Sequence, residues 1–158
     1  MAVGVGTLEG IAIKREQFAP LELVEEVEVT IEQGLAGDCK GNRLKPSGEP
    51  TKRQVTALSK QSWAAACALV GKEIPWEMRR AGLLITGIMF DASDVGKLLY
   101  IGATVILVIT RETDPCKRMN AVCPGLMEAL TPEWRGGVCC RVLHGGKIRK
   151  NDVVRLGA

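Results

Sequence analysis

Between Glu25 and Gly34 the chain reads EEVEVTIEQG, with Val27, Val29 and Ile31 set against Glu26, Glu28, Thr30 and Glu32. A period of two describes a half-buried strand with an acidic outer face. Residues 3–13, rich in Val and Ile with glycine interruptions, predict another strand. QVTALSKQSWAAACALVGKE (54–73) starts as a short strand and becomes a helix, with Ser59 as N-cap, an Ala-rich middle and Gly71 closing the C-terminus. RRAGLLITGI (79–88) predicts a strand entered through two arginines. KLLYIGATVILVITRE (97–112) predicts two strands joined in a hairpin at Ile101-Gly102-Ala103. PGLMEAL (124–130) predicts a short helix with Pro124 near its first turn. GGVCCRVLHGGKIRKNDVVRLG (136–157) predicts two more strands with HGG as the turn between them.

Between these elements lies GLAGDCKGNRLKPSGEPTKR (34–53), whose Gly, Pro, Ser and Lys predict a long loop of the kind often placed at functional sites. Six or more short strands and about two helices predict a mainly β (α+β) fold, a closed or nearly closed β-barrel with helical insertions, because closure hides strand edges. An open parallel sheet requires a helix between most strands, and those helices are missing. The whole chain, residues 1–158, is expected to form this single domain.

Composition narrows the function classes. A hydrophobic fraction of 46% and a charged fraction of 25% are those of a globular protein. The formal charge of +3, with three Trp, two Phe and one Tyr, offers neither a basic stripe nor a stacking platform, so no nucleic-acid partner is expected. The N-terminus has no cationic start before an apolar run, and the longest apolar stretch, Leu98 to Ile109, is far too short to span a bilayer. A cytoplasmic protein with no membrane partner is the expectation, and its six unevenly spaced cysteines are read as reduced thiols.

Candidate chemistry centres on TDPCKRM (113–119), where Cys116 follows a proline and precedes Lys117 and Arg118 at the end of a predicted strand. A thiol beside fixed positive charge ionises more easily, and the thiolate is the form that ligates soft metals, attacks electrophiles or holds a persulfide. A spectator thiol between surface charges is the alternative. Arg53, Arg79, Arg80 and Arg135 also fall near strand ends. In a barrel such ends converge on one mouth, where several guanidinium groups suit a phosphate or other oxyanion.

Other reactive residue types read more simply. Adjacent Cys139 and Cys140 face opposite ways in a strand, and a core role for at least one is expected. Cys67 is expected in the core, Cys39 in the accessible loop, and Cys123 either packs or resolves Cys116. His144, the sole histidine, is a turn residue rather than a catalyst, and structural zinc is not expected. Asp114 either caps a turn or gives a proton to substrate. Trp63, Trp76 and Trp134 are packing anchors, the last near the mouth.

Over most of its length the chain resembles the MOSC domains, named after the C-terminal domain of molybdenum cofactor sulfurase. GLAGDCKG is similar to the family's Gly-x-x-Gly-Asp stretch, through Gly34, Gly37 and Asp38. RQVTALSKQSW resembles its basic residue, strand and helix start, GATVILVITRETDPCKRM the segment ending in Pro-Cys, and RGGVCCRVLHGGKIRKNDVV its closing hairpin. The resemblance implies a β-barrel that binds molybdenum cofactor of the molybdopterin type. Cys116 would ligate molybdenum or carry sulfur, with Arg53, Arg79, Arg80, Lys117, Arg118 and Arg135 as the cationic surroundings. It further implies an oxidoreductase acting on N-hydroxylated or related small molecules, with electrons from an electron-transfer protein. The alternative is a sulfur carrier, its persulfide on Cys116 supplied by a sulfurtransferase such as a pyridoxal-phosphate-dependent desulfurase. Two departures stand out: NRLKPSGEPTKRQ contains no His-Gly-Gly, and Ala81-Gly82 replaces the usual Glu-Asn. No stretch corresponds to the extra N-terminal β domain of the larger reductases, which points to action with a partner or to binding and delivery.

Overall fold

A computed structural model of the chain describes residues 4–39, 47–48 and 51–157. Among the described residues there are eleven strands and three α-helices: β1 (Gly4–Ile13), β2 (Glu22–Val24), β3 (Glu26–Thr30), β4 (Gly34–Leu35) and β5 (Val55–Ser59), then α1 (Lys60–Val70), β6 (Leu83–Thr86), β7 (Leu98–Ile101) and β8 (Val105–Glu112). After these come α2 (Arg118–Val122), α3 (Leu126–Leu130), β9 (Val138–His144), β10 (Gly146–Arg149) and β11 (Val153–Gly157).

Seven strands close on themselves in the order β1-β11-β7-β8-β9-β5-β6, with β6 returning to β1, and β2 adds to the far end of β1. The expected closed barrel is therefore present. Strands β5 and β6 pair in parallel, and a parallel pair needs a crossover, which α1 supplies. The β7–β8 hairpin turns at Gly102, as its sequence predicts.

The HGG segment does something other than close a hairpin. Instead of pairing with β9, β10 leaves the barrel and joins β3 and β4 in a separate three-stranded sheet, while β11 returns between β1 and β7. The reason is local crowding: a side chain on Gly145 would meet the carbonyl of Val29 at 2.5 Å, and Gly146 has φ +149° against Thr104. Two glycines let the chain pass where a bulkier pair would be turned back. His144, expected in a turn, is instead the last residue of β9, with Nδ1 2.9 Å from the Thr104 carbonyl oxygen.

Two apolar clusters share the barrel wall. Leu8, Ile11, Val55, Leu107, Ile109 and Cys140 fill the interior. Leu58, Trp63, Ala66, Met119, Leu126 and Leu130 pack the helices against the outside. That is why every residue of β5 is buried: one face looks into the barrel and the other lies under α1. Ser59 caps α1, its Oγ accepting from the Ser62 amide, and Gly71 ends it at φ +73°. The acidic strand is shorter than its alternation predicts. Val27 and Val29 are buried in β3, but Ile31 lies beyond the strand end, 48% exposed. The helix count is three because α2, which follows the Pro-Cys segment, has too few residues to show a period. No helix among the described residues is long and apolar enough to cross a membrane.

Candidate functional site

Strand β8 ends at Glu112, and the chain then runs through Thr113, Asp114, Pro115, Cys116 and Lys117 into α2. Thr113 anchors this loop. Only 3% exposed, it donates its amide to the Gly137 carbonyl at 2.9 Å, and its Oγ1 lies 3.3 Å from Cys139 Sγ. Three residues later Cys116 is exposed, its carbonyl accepting from the Met119 amide at 2.9 Å as α2 begins. The loop is thus pinned at its root and presents a thiol at its tip.

Arg79 closes the root from the other side. It ends a single 3-10 turn, Trp76–Arg79, and is 5% exposed. Its Nε donates to the Gly136 carbonyl at 3.1 Å and its Nη2 to the Thr113 carbonyl at 2.9 Å. No carboxylate forms an ion pair with it among the described residues. Burial, and then the like charge of Arg53, pull its guanidinium down to about 10, against the opposing fields of Cys116, Cys139 and Asp114. It is therefore a cation at neutral pH, and Arg53, Cys116 and Asp114 all lie within its electrostatic reach. Arg53 itself is half-buried, with a buried Nε that has no hydrogen-bond partner among the described residues. Glycine at 136 is required here, since a Cβ would stand 2.5 Å from the Thr113 carbonyl oxygen and 3.1 Å from Arg79 Nη2.

The remaining cations separate. Lys117 is exposed beside Cys116 at the entry to α2. Arg118 turns away, its guanidinium 5.9 Å from the centre of the Phe18 ring. Arg80, with φ +67°, lies between a small polar cleft and a cavity of about 490 Å³ whose wall also includes Arg118. Arg135, also expected among these cations, has partners on α3 and in the turn that follows it. Its Nη1 donates to the Ala129 carbonyl at 3.0 Å and its Nη2 pairs with Glu133 at 3.1 Å, so it ties α3 to the following turn. Of the seven expected residues, Cys116, Arg53, Arg79 and Lys117 share one neighbourhood, Arg80 and Arg118 line the adjoining cavity, and Arg135 is engaged elsewhere.

The other thiols are packing groups. Cys139 and Cys140 are both fully buried, and burial raises the Cys140 thiol far above its usual range. Cys123, 4% exposed, is in the helix-side core rather than set as a partner for exposed Cys116. Asp38 of the Gly-Asp stretch accepts from the Lys14 amide at 2.7 Å, and the Cys39 amide donates to the Lys14 carbonyl at 2.7 Å, which fastens this segment to the end of β1. At Gly82, where the family usually carries a polar side chain, a Cβ would meet Leu35 Cδ1 at 2.9 Å. Residues 40–46 and 49–50 of the expected long loop lie outside the described residues.

Sequence reading missed Thr113, Gly136 and Glu112. Paired glycines before β9 were the available signal for Gly136. Glu112 has its carboxyl held above the usual range, first by burial and then by the charge and hydrogen bond of Asp114. A carboxyl that keeps its proton more readily than usual thus ends the strand that leads into the thiol loop.

Among the described residues no three His, Cys, Asp or Glu side chains gather to hold a metal. A metal here would take a single protein ligand, Cys116, and its other ligands from a cofactor. Two neighbouring guanidinium groups, one buried without a carboxylate and one with an unpartnered donor, suit the phosphate of such a cofactor.

Comparison with known proteins agrees with this geometry at the level of fold. YuaD from Bacillus subtilis superimposes with a TM-score of 0.80 at 16% identity, covering 100% of this chain and 99% of that one. YiiM from Escherichia coli gives 0.69 at 13% identity, covering 96% and 70%, and YiiM from Geobacillus stearothermophilus 0.68 at 16%, covering 100% and 75%. Sequence comparison with curated proteins finds no match. The MOSC domain model matches residues 35–155, a span that includes the Gly-Asp stretch, Arg53, Arg79, the Pro-Cys loop and β9–β11. The chain belongs to the MOSC domain family.

Proposed function

We propose that this protein binds a molybdenum cofactor of the molybdopterin type at the Cys116 loop and, so loaded, reduces N-hydroxylated small molecules. The observation that carries the reading is the pairing of Arg79, buried and hydrogen-bonded to carbonyls rather than ion-paired, with Arg53 beside an exposed thiol. Like charges held together at a barrel mouth are costly unless an anion joins them.

The residues divide the work. Arg53 offers its unpartnered Nε to the cofactor phosphate, while Arg79 contributes charge and keeps the loop in place through Thr113. Lys117 adds positive field at the entry to α2. Cys116 supplies the protein sulfur as metal ligand. When bound, the cofactor supplies two-electron oxygen-atom chemistry. In the net reaction the N–O bond of the substrate breaks, two electrons arrive from an electron-transfer protein, two protons are taken up, and water leaves. Glu112, whose carboxyl is held above the usual range at the start of the thiol loop, is the side chain suited to supply one. All six cysteines are free thiols, which suits the reducing cytoplasm.

A second reading has an observation of its own: Cys116 is exposed and is not part of the wall of the large cavity. An outward thiol suits exchange with a macromolecular donor. The Cys116 thiolate would attack the terminal sulfur of a sulfurtransferase persulfide, the S–S bond there would break, and the donor would leave as its thiolate.

One comparison separates the two. Protein made in a host that synthesises the cofactor should carry stoichiometric molybdenum, and Cys116→Ser should lose it. Equal molybdenum in both proteins would end the first reading. A cyanide-labile extra sulfur on Cys116 in protein without pterin would establish the carrier.

A further inference from the structure

The cavity of about 490 Å³ beside the thiol loop has a chemistry of its own. Its apolar wall is made by Pro20, Leu21, Met78, Met119 and Val122. Its charged members are Arg80, Arg118 and Glu77, two cations to one anion. Met119 and Val122 belong to α2, the helix that starts two residues beyond Cys116, so the cavity adjoins the thiol loop through the backbone itself. Ligand cavities in proteins span about 300–1,000 Å³, lined mostly by apolar groups with a few orienting charges. This one has that size and that make-up.

Two backbone features flank it. Arg80 has φ +67°, and Phe18, 72% exposed, has the same φ of +67°. Left-handed conformations are uncommon for bulky residues and cost free energy that the surrounding structure must hold in place. Phe18 is moreover the ring over which the Arg118 guanidinium is placed, at 5.9 Å. An aromatic under one face of a guanidinium orients it while leaving its edge donors to a ligand.

We propose that this cavity binds a small organic monoanion with an aromatic or branched apolar body, its carboxylate turned toward Arg118 and Arg80. The apolar wall takes the body, and the thioethers of Met78 and Met119 favour a flat aromatic one. The Arg118 guanidinium, exposed at the rim and set over the Phe18 ring, selects an anion over a neutral or cationic analogue of equal shape. As the substrate pocket of the Cys116 site, this deepens the function proposed above and rests on it. As an anion-selective pocket it stands on the cavity alone.

Binding to the full chain is measured by ligand-observed NMR with three isosteres: 2-naphthoate, 2-naphthamide and 2-naphthylmethylammonium. Naphthoate should bind about tenfold more tightly than the amide, the factor expected of one charge-assisted hydrogen bond. Arg118→Gln, at an exposed position, should reduce naphthoate to the level of the amide and leave the amide unchanged. Val122→Phe should exclude both by filling the space. Equal affinity for the three probes, or full binding to Val122→Phe, would overturn the proposal. Selective naphthoate binding by a protein that never acquires molybdenum would uphold the cavity and remove only the cofactor reading.

Discussion

Arg79 holds the carbonyl of Thr113 at 2.9 Å, and in doing so fastens the turn before β6 to the strand end that presents Cys116. Both groups are buried. Replacing Arg79 with Met leaves the Thr113 and Gly136 carbonyls without this donor, at about 1–3 kcal/mol for each orphaned group, partly offset by removing a desolvated charge. Arg79→Lys keeps the charge but cannot fork between two carbonyls. We expect a loss of roughly 1–3 kcal/mol for Met and a smaller loss for Lys in urea unfolding. Two variants as stable as the parent would show that the clamp contributes nothing.

The neighbouring charges of Arg79 and Arg53 predict a response of the fold to anions. The folded-state pKa of Arg79 is lowered, by burial first and Arg53 second, to about 10. The folded protein therefore holds that proton less tightly than the unfolded chain. The resulting cost is present at neutral pH and relaxes only as pH rises through about 10. An anion between Arg53 and Arg79 offsets it. Pyrophosphate at about ten times its Kd should stabilise by roughly 1.4 kcal/mol and raise the Tm by about 3–6 °C. Arg53→Gln should abolish the shift, and an equal rise in that variant would place the anion elsewhere.

Gly136 tests how tightly the loop root is packed. An added methyl would stand 2.5 Å from the Thr113 carbonyl oxygen, 3.1 Å from Arg79 Nη2 and 3.4 Å from Pro115 Cδ. The first of these is backbone and cannot swing aside. Gly136→Ala should cost about 1–3 kcal/mol, with the damage centred on the 113–116 loop. Hydrogen exchange should show faster loss of protection at Thr113 and Gly137 than at β7. Uniform protection would argue against a local clash.

Exposure orders the thiols. Cys116 is exposed, Cys39 is half-buried, and Cys67, Cys123, Cys139 and Cys140 are buried. Iodoacetamide followed by peptide mass spectrometry should label Cys116 first and Cys39 more slowly. The buried four should react at the rate of local opening. Fast labelling of Cys139 would mean that the loop root opens readily and that Arg79 is not a lasting clamp.

Much of this arrangement was legible in the residues. Period-two alternation and the Ser59 and Gly71 signals are local, and local physics decides them. The Pro-Cys loop and Arg79 could be named because strand ends of a closed barrel must gather. What escaped depends on contacts across the fold. Arg135 is adjacent to Gly136 yet spends its guanidinium on Ala129 and Glu133, because the preceding turn, with Glu133 and Trp134 at positive φ, sets it beside α3. The β9–β10 hairpin failed because Gly145 and Gly146 admit Val29 and Thr104 to close range, and no property of those glycines alone tells a turn from an exit. Thr113 looked like any strand-end threonine until Gly137 and Arg79 met it.

Glu112 offers a pH test whose sign is opposite to that of an ordinary surface carboxylate. Its folded pKa is raised, chiefly by burial and then by the charge and hydrogen bond of Asp114. The folded state thus holds the proton more tightly than the unfolded chain does. The stabilisation is complete below the usual carboxylate range and is lost as pH rises through the raised value. Glu112→Gln keeps a neutral hydrogen-bonding group at every pH and removes this dependence. Relative to the parent, the variant should gain stability as pH rises from the ordinary carboxylate range through the raised pKa of Glu112. Parallel stability profiles for the two proteins in urea unfolding would show that Glu112 does not hold a proton beside Asp114. Asp114→Asn separates the two causes. It removes the neighbouring charge but leaves the burial of Glu112 in place, so the pH dependence of the parent should shrink without vanishing, whereas complete loss would make the carboxyl pair, rather than burial, the dominant cause.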